Sequence, residues 1–187
     1  MATRNGRLIE GGIFLAGFAA CIPLANYMIG HVGTVCVPNG PCLIPVGFGL
    51  TAPSGVLLVG LALVLRDLVQ RRLGLWWAVG AIIVGAFLST TFTAPALALA
   101  SASAFLTSEL ADLLIFTPLQ KKGLVKAAFV SSVAGLIVDS IMFLWLAFGS
   151  LDFLAGQVVG KLIMVIATLP VLIWIRSRDR RLGLSPA

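Results

Sequence analysis

Long apolar runs fill this chain, and all of its Lys and Arg residues except Lys161 gather in four clusters between them. Arg4 and Arg7 come first, then Arg66, Arg71 and Arg72, then Lys121, Lys122 and Lys126, and finally Arg176, Arg178, Arg180 and Arg181. Each interval between clusters has room for two membrane crossings of roughly 20 residues, the length that a ~30 Å hydrocarbon core demands. The turn between the two crossings of each interval carries no Lys or Arg. Positive loops are retained on the cytoplasmic side. The pattern therefore predicts an all-α integral membrane protein, a single transmembrane domain over residues 1–187 with six helices and both termini cytoplasmic. The predicted spans are 12–29, 55–69, 75–92, 95–116, 125–148 and 155–175.

The interval between the first two spans is different. His31-Val32-Gly33, Pro38-Asn39-Gly40-Pro41, Pro45, Gly47, Gly49 and Pro53 make one regular helix implausible there. Its second half is nonetheless apolar, and non-helical backbone at membrane depth survives only where protein or a wet cavity covers it. The segment is read as irregular and partly re-entrant. Cys36 and Cys42 flank its Pro-Asn-Gly-Pro turn, either as a disulfide in an oxidising compartment or as two free thiols. Cys21 reads as packing. Trp76 and Trp77 fit an interfacial aromatic belt. The small residues Ala98, Ala100, Ser101, Ala102, Ser103 and Ala104 would let span four approach its neighbours closely.

Composition supports the membrane assignment. The chain is 59% hydrophobic and 11% charged, with mean hydropathy +1.08, whereas soluble domains carry about 25% charged residues. The net charge of +6 then reflects topology and contact with anionic lipid rather than nucleic-acid binding. No HExxH, GxSxG or Walker glycine loop is present, and His31 is the sole histidine. No enzymatic activity, cofactor or metal is expected.

Ionisable groups inside a bilayer cost several kcal/mol unless paired or hydrated, so each is a functional candidate. At about 1.5 Å of rise per residue, Glu109, Asp139 and Lys161 fall roughly 18–22 Å from the nearest basic cluster, with Asp112 one turn lower. On span four, Phe105, Ser108, Glu109, Asp112 and Phe116 share one stripe. Ser132, Gly135, Asp139 and Phe143 do so on span five, and Gln157 lies one turn from Lys161. Acids, hydroxyls and rings in such a wall could hold a flat polar ligand, or the acids could relay protons. The plain alternative is an Asp139–Lys161 pair that locks two spans, which leaves Glu109 and Asp112 with no base at their depth. Arg66 and Asp67 read as a mostly structural pair near the cytoplasmic interface. Asn26, at the outer end of span one, is a further candidate contact, although helix termination explains it equally.

The run Ala102-Ser103-Ala104-Phe105-Leu106-Thr107-Ser108-Glu109-Leu110-Ala111-Asp112 resembles the most distinctive stretch of the VUT family, the queuosine-precursor transporters. Val138-Asp139-Ser140 with Phe143 and Ala147-Phe148-Gly149 is similar to it too, as is Gln157-x-x-x-Lys161. The likeness runs from about residue 61 to 172 and is weakest in the Cys-bearing loop. It implies a fold similar to the substrate-binding subunits of energy-coupling-factor transporters. It also implies uptake of 7-cyano-7-deazaguanine or a related 7-deazaguanine base across the bacterial inner membrane. In that reading Glu109 or Asp112 accepts the donor edge of the base, and Phe105, Phe116, Phe143 or Trp145 stacks on it. Lys161 faces its carbonyl or holds Asp139. Homo-oligomers and a separate energising subunit stay open. So do another purine- or pteridine-like solute and, from a different class, a membrane scaffold or assembly factor.

Overall fold

The computed structural model describes residues 4–38, 40–91 and 95–184. Phe92, the predicted end of span three, and Asn39 of the predicted turn lie outside the described residues. Among the described residues six helices are formed: α1 (Arg4–His31), α2 (Val56–Leu73), α3 (Leu75–Thr91), α4 (Pro95–Leu119), α5 (Leu124–Phe148) and α6 (Leu154–Leu182). The expected number of helices is therefore present. Among the described residues, four stretches are long and apolar enough by themselves to cross a membrane: Asn5–His31, Leu97–Leu119, Leu124–Phe148 and Leu154–Leu182. α3 is apolar but has only 17 residues. α2 falls short for a different reason, since Arg66, Asp67, Arg71 and Arg72 crowd its second half. All four of these side chains are buried in protein.

α2 is the hub of the bundle. Leu63 and Leu68 pack with Phe116 of α4, Leu136 of α5 and Val165 and Leu172 of α6. Ala62 on another face meets Phe18 and Ile22 of α1 and Ala81 of α3. α2 passes into α3 through Gly74, whose φ of 100° is open to glycine and whose N–H donates to Gln70 O at 2.9 Å. The outward faces carry large apolar groups, among them Trp76, Phe87, Leu99 and Leu114, as a surface bathed by acyl chains should.

The segment expected to be irregular is a small antiparallel sheet: β1 (Val35–Cys36), β2 (Cys42–Gly47) and β3 (Leu50–Pro53), in that order. Glycine and proline exclude a helix there, but they leave extended pairing open. β2 and β3 turn through Gly47, Phe48 and Gly49, all at positive φ. Pro45 lies beyond the two residues of β2 that β1 reaches, so no β1 partner requires its missing N–H. Val46 and Ala52 bury against Val56 and Val159, which docks the sheet on the adjacent ends of α2 and α6. Gly156 makes that docking possible, because a Cβ there would collide with the carbonyl of Thr51. Cys36 and Cys42, directly opposed in register, are joined by a disulfide, and Cys21 is a buried free thiol. Alkylation of the denatured, unreduced protein should label one cysteine, and reduction should raise the count to three by mass spectrometry.

Candidate functional site: a cavity above a buried charge cluster

Arg66 points from α2 into the bundle interior and meets acids from two helices. Its Nη1 is 2.8 Å from Asp67 Oδ1, its Nε 3.0 Å from Glu109 Oε2 and its Nη2 2.6 Å from Asp112 Oδ1. Gln70 Oε1 accepts from Nη1 at 3.3 Å, and the guanidinium lies 5.8 Å from the centre of the Phe116 ring. Ser131 of α5 donates to Asp67 Oδ2 at 3.2 Å. Arginine suits this position, since its planar fork engages several carboxylates at once where an ammonium acts as a point charge. Glu109 and Asp112, which appeared to lack a base, thus have one. Arg66 was placed near the interface by chain position, yet its side chain reaches inward to them.

A second cluster lies beside the first. Lys161 Nζ donates to Asp139 Oδ2 at 2.6 Å, Ser140 Oγ at 2.8 Å and Gln157 Oε1 at 2.6 Å. Its three N–H donors are all committed. The plain alternative, an Asp139–Lys161 pair between α5 and α6, is therefore present as geometry. Gly60 of α2 lets α6 approach at this level, because a Cβ on it would come 2.6 Å from the carbonyl oxygen of Lys161.

Between these clusters and the sheet end lies a cavity. Glu109, Asp139 and Lys161 form its base, Phe105 and Phe143 stand in its walls, and Asn26, Ser89 and Ser101 lie toward the sheet. Asn26 Nδ2 donates to Ser89 O at 2.8 Å, and Ser101 Oγ donates to Asn26 Oδ1 at 3.3 Å, which ties α1, α3 and α4 together around the opening. The cavity offers about 50 Å³ to the centre of a water molecule. Since ~10–15 Å³ of such space holds one water, it has room for a few waters.

The opposite end of the bundle is closed by ion pairs. Arg72 Nη2 is 2.8 Å from Asp179 Oδ1, Arg71 Nη2 is 2.9 Å from Asp179 Oδ2, and Glu10 Oε2 pairs with both Arg72 and Arg178. These contacts join the ends of α1, α2 and α6. Asp179 and Glu10 were not singled out in the sequence, where they look like ordinary charges at helix ends. Their proximity to arginines distant in the chain carries no sequence signal.

Of the candidate residues, Asn26, Phe105, Ser108, Glu109, Asp139, Phe143, Gln157 and Lys161 line the cavity. Asp112 and Phe116 share the expected α4 stripe but lie with Arg66 below it. Trp145 is 61% exposed on the outer face of α5 and reaches neither cluster. Ser89, Ser101 and Cys21 join the lining without having stood out, because small side chains in apolar helices have many other uses. Removing Arg66 strands three buried acids. Arg66→Ala should cost about 3–5 kcal/mol and lower the folded yield in detergent. Adding Glu109→Gln and Asp112→Asn to it should recover much of that loss, read by size-exclusion chromatography and thermal melting.

Residues 90–175 match the family described as "Putative vitamin uptake transporter". No curated protein and no solved structure gives a match. The matched stretch holds α4, α5 and most of α6, and with them Glu109, Asp112, Asp139 and Lys161. Over this stretch, just under half of its length, the chain is similar to that family.

Proposed function

We propose that this protein imports a small flat heterocycle across the bacterial inner membrane, by alternating access around the cavity above Arg66. The substrate class supported best is a queuosine precursor, 7-cyano-7-deazaguanine or a related 7-deazaguanine base. The observation that carries this reading is the state of Glu109. Its Oε2 accepts from Arg66, while its Oε1 accepts no hydrogen bond from the described residues and the side chain lines the cavity. A carboxylate so held can accept the ring N–H and exocyclic amine of such a base. Phe105 and Phe143 offer ring faces for stacking, and Asn26 and Gln157 add amide groups. Lys161, with its donors committed to Asp139, Ser140 and Gln157, acts by orienting Asp139 and not by direct contact with the ligand.

Orientation follows from charge. Lys121, Lys122, Lys126 and the Arg176–Arg181 cluster would lie in the cytoplasm, and the disulfide-bearing sheet would face the outer, oxidising side. The cavity then opens outward, and the Glu10–Arg72–Asp179 contacts close the inner side. A scaffold reading finds support in the density of buried ion pairs, which could serve only to hold helices together.

A thermal-shift screen of the purified protein against 7-deazaguanines, purines and pteridines separates these readings. At a ligand concentration 100 times Kd, binding stabilises by about 2.7 kcal/mol. A shift with 7-cyano-7-deazaguanine that is lost in Glu109→Gln, with melting of the free protein little changed, supports import of that base. Trp145→Ala, on the outer face, should keep the shift. A shift with purines or pteridines alone changes the substrate, and unfolding of Glu109→Gln with no ligand shift in the parent protein favours the scaffold.

A further inference from the structure

Two bases and four acids lie in the membrane-embedded interior around these clusters: Arg66 and Lys161 against Asp67, Glu109, Asp112 and Asp139. Lys161 and Asp139 neutralise each other at 2.6 Å. Arg66 is then alone against Asp67, Glu109 and Asp112, whose side chains are no more than 2% exposed. Among the described residues, Arg66 is the base that pairs with them. α3 carries no titratable residue at all, α5 presents Ser131 and the already paired Asp139, and Glu10 of α1 is engaged with Arg72 and Arg178 at the far end. An uncompensated ion in such surroundings costs several kcal/mol. Carboxylates that share one site do not all ionise.

The geometry shows where the compensation belongs. The carboxyl groups of Asp67 and Asp112 crowd the same guanidinium, on Arg66 Nη1 at 2.8 Å and Nη2 at 2.6 Å. Asp112 Oδ2 is buried and has no hydrogen-bond donor, and Asp67 Oδ1 likewise has none apart from its ion pair with Arg66. Two carboxyl groups held by one guanidinium in a dry interior, each with an oxygen that has no hydrogen-bond donor, need a proton between them. A metal cation is the other way to cancel charge, but among the described residues no group of three or more His, Cys, Asp or Glu is placed to hold one.

We propose that Asp67 and Asp112 share a proton and that this site couples solute import to proton entry. The coupling rests on the transport reading above, whereas the shared proton does not. Glu109 links the two functions, because it lines the cavity and also contacts Arg66. A proton taken from cavity water by the Glu109 carboxylate passes to the Asp67–Asp112 pair. The pair releases a proton to the cytoplasmic side when α2 and α4 part, and Arg66 then compensates the bared carboxylate. One proton enters and one leaves per cycle, and no bond other than O–H changes.

Two measurements test this. Infrared spectra of the purified protein without solute at neutral pH should contain the C=O stretch of a protonated carboxyl group, shifted in D₂O and lost in Asp67→Asn and Asp112→Asn. Absence of that band from the unmodified protein overturns the proposal, whatever the solute is. So does a band that persists in both variants. In proteoliposomes with an internal pH dye, 7-cyano-7-deazaguanine should enter with protons and accumulate when the outside is acidic. Asp112→Asn should still exchange the base but no longer accumulate it. Accumulation by the unmodified protein that ignores the pH gradient overturns the coupling. A carboxyl band present without any binding of 7-cyano-7-deazaguanine keeps the proton site and rejects the solute.

Discussion

The guanidinium of Arg66 is the constraint around which the bundle is organised. A charge with no exposed surface must be surrounded by partners that fit its fork, and the partners here come from α2 itself and from α4. Their placement sets the rotation of α4 about its axis, because Glu109 and Asp112 must both face α2. That rotation in turn brings Phe105 and Ser108 to the cavity and turns Leu110 and Leu114 toward the exterior. Ser131 and the small Gly135, which lies against Asp112 and Leu63, let α5 close over the same cluster. Buried ion pairs are poor sources of net stability. Their value here is positional, since few other arrangements of these helices leave every charge with a partner.

The same constraint explains why a helix with four charges in its second half belongs to a membrane bundle. α2 alone is a poor span, but each of its charges is met by another helix: Arg66 by α4, Asp67 by α5, Arg71 and Arg72 by α6, and Arg72 also by α1. The two ends of the bundle differ accordingly. At the basic end, Asp179 and Glu10 tie three helices with multiple charged hydrogen bonds. At the sheet end, the opening is spanned by neutral contacts of Asn26 with Ser89 and Ser101. Neutral hydrogen bonds are roughly half as strong as charge-assisted ones, so the sheet end is the easier one to open. Between them, Glu109 belongs to both the cavity and the dry cluster.

Much of this was legible in the chain. Runs of apolar residues between basic clusters predict six helices, and six are present, although only four qualify as spans by their own length and composition. The stripe Phe105–Ser108–Glu109 and the pair Gln157–Lys161 follow from helical spacing and do share one cavity. The stripe reading failed to divide α4 between cavity and cluster, because a stripe gives a direction around the helix and not the depth at which each neighbour packs. Trp145 shows the converse error: an aromatic near Phe143 in sequence points the other way, since successive positions turn by about 100°. The sheet was missed because glycine and proline announce the absence of a helix more clearly than the presence of strands.

The sequence by itself determined that the chain is helical and apolar enough for a membrane, that six helices form among the described residues, and which side chains are too costly to be accidental. Those properties depend on local composition and on the free energy of transferring each group from water. Only the tertiary structure decided which charges meet. A long arginine side chain can reach acids a full turn or more from its own level, so the Arg66 cluster and the Arg72–Asp179 clasp depend on how helices distant in sequence rotate and lean together, and no local pattern encodes that.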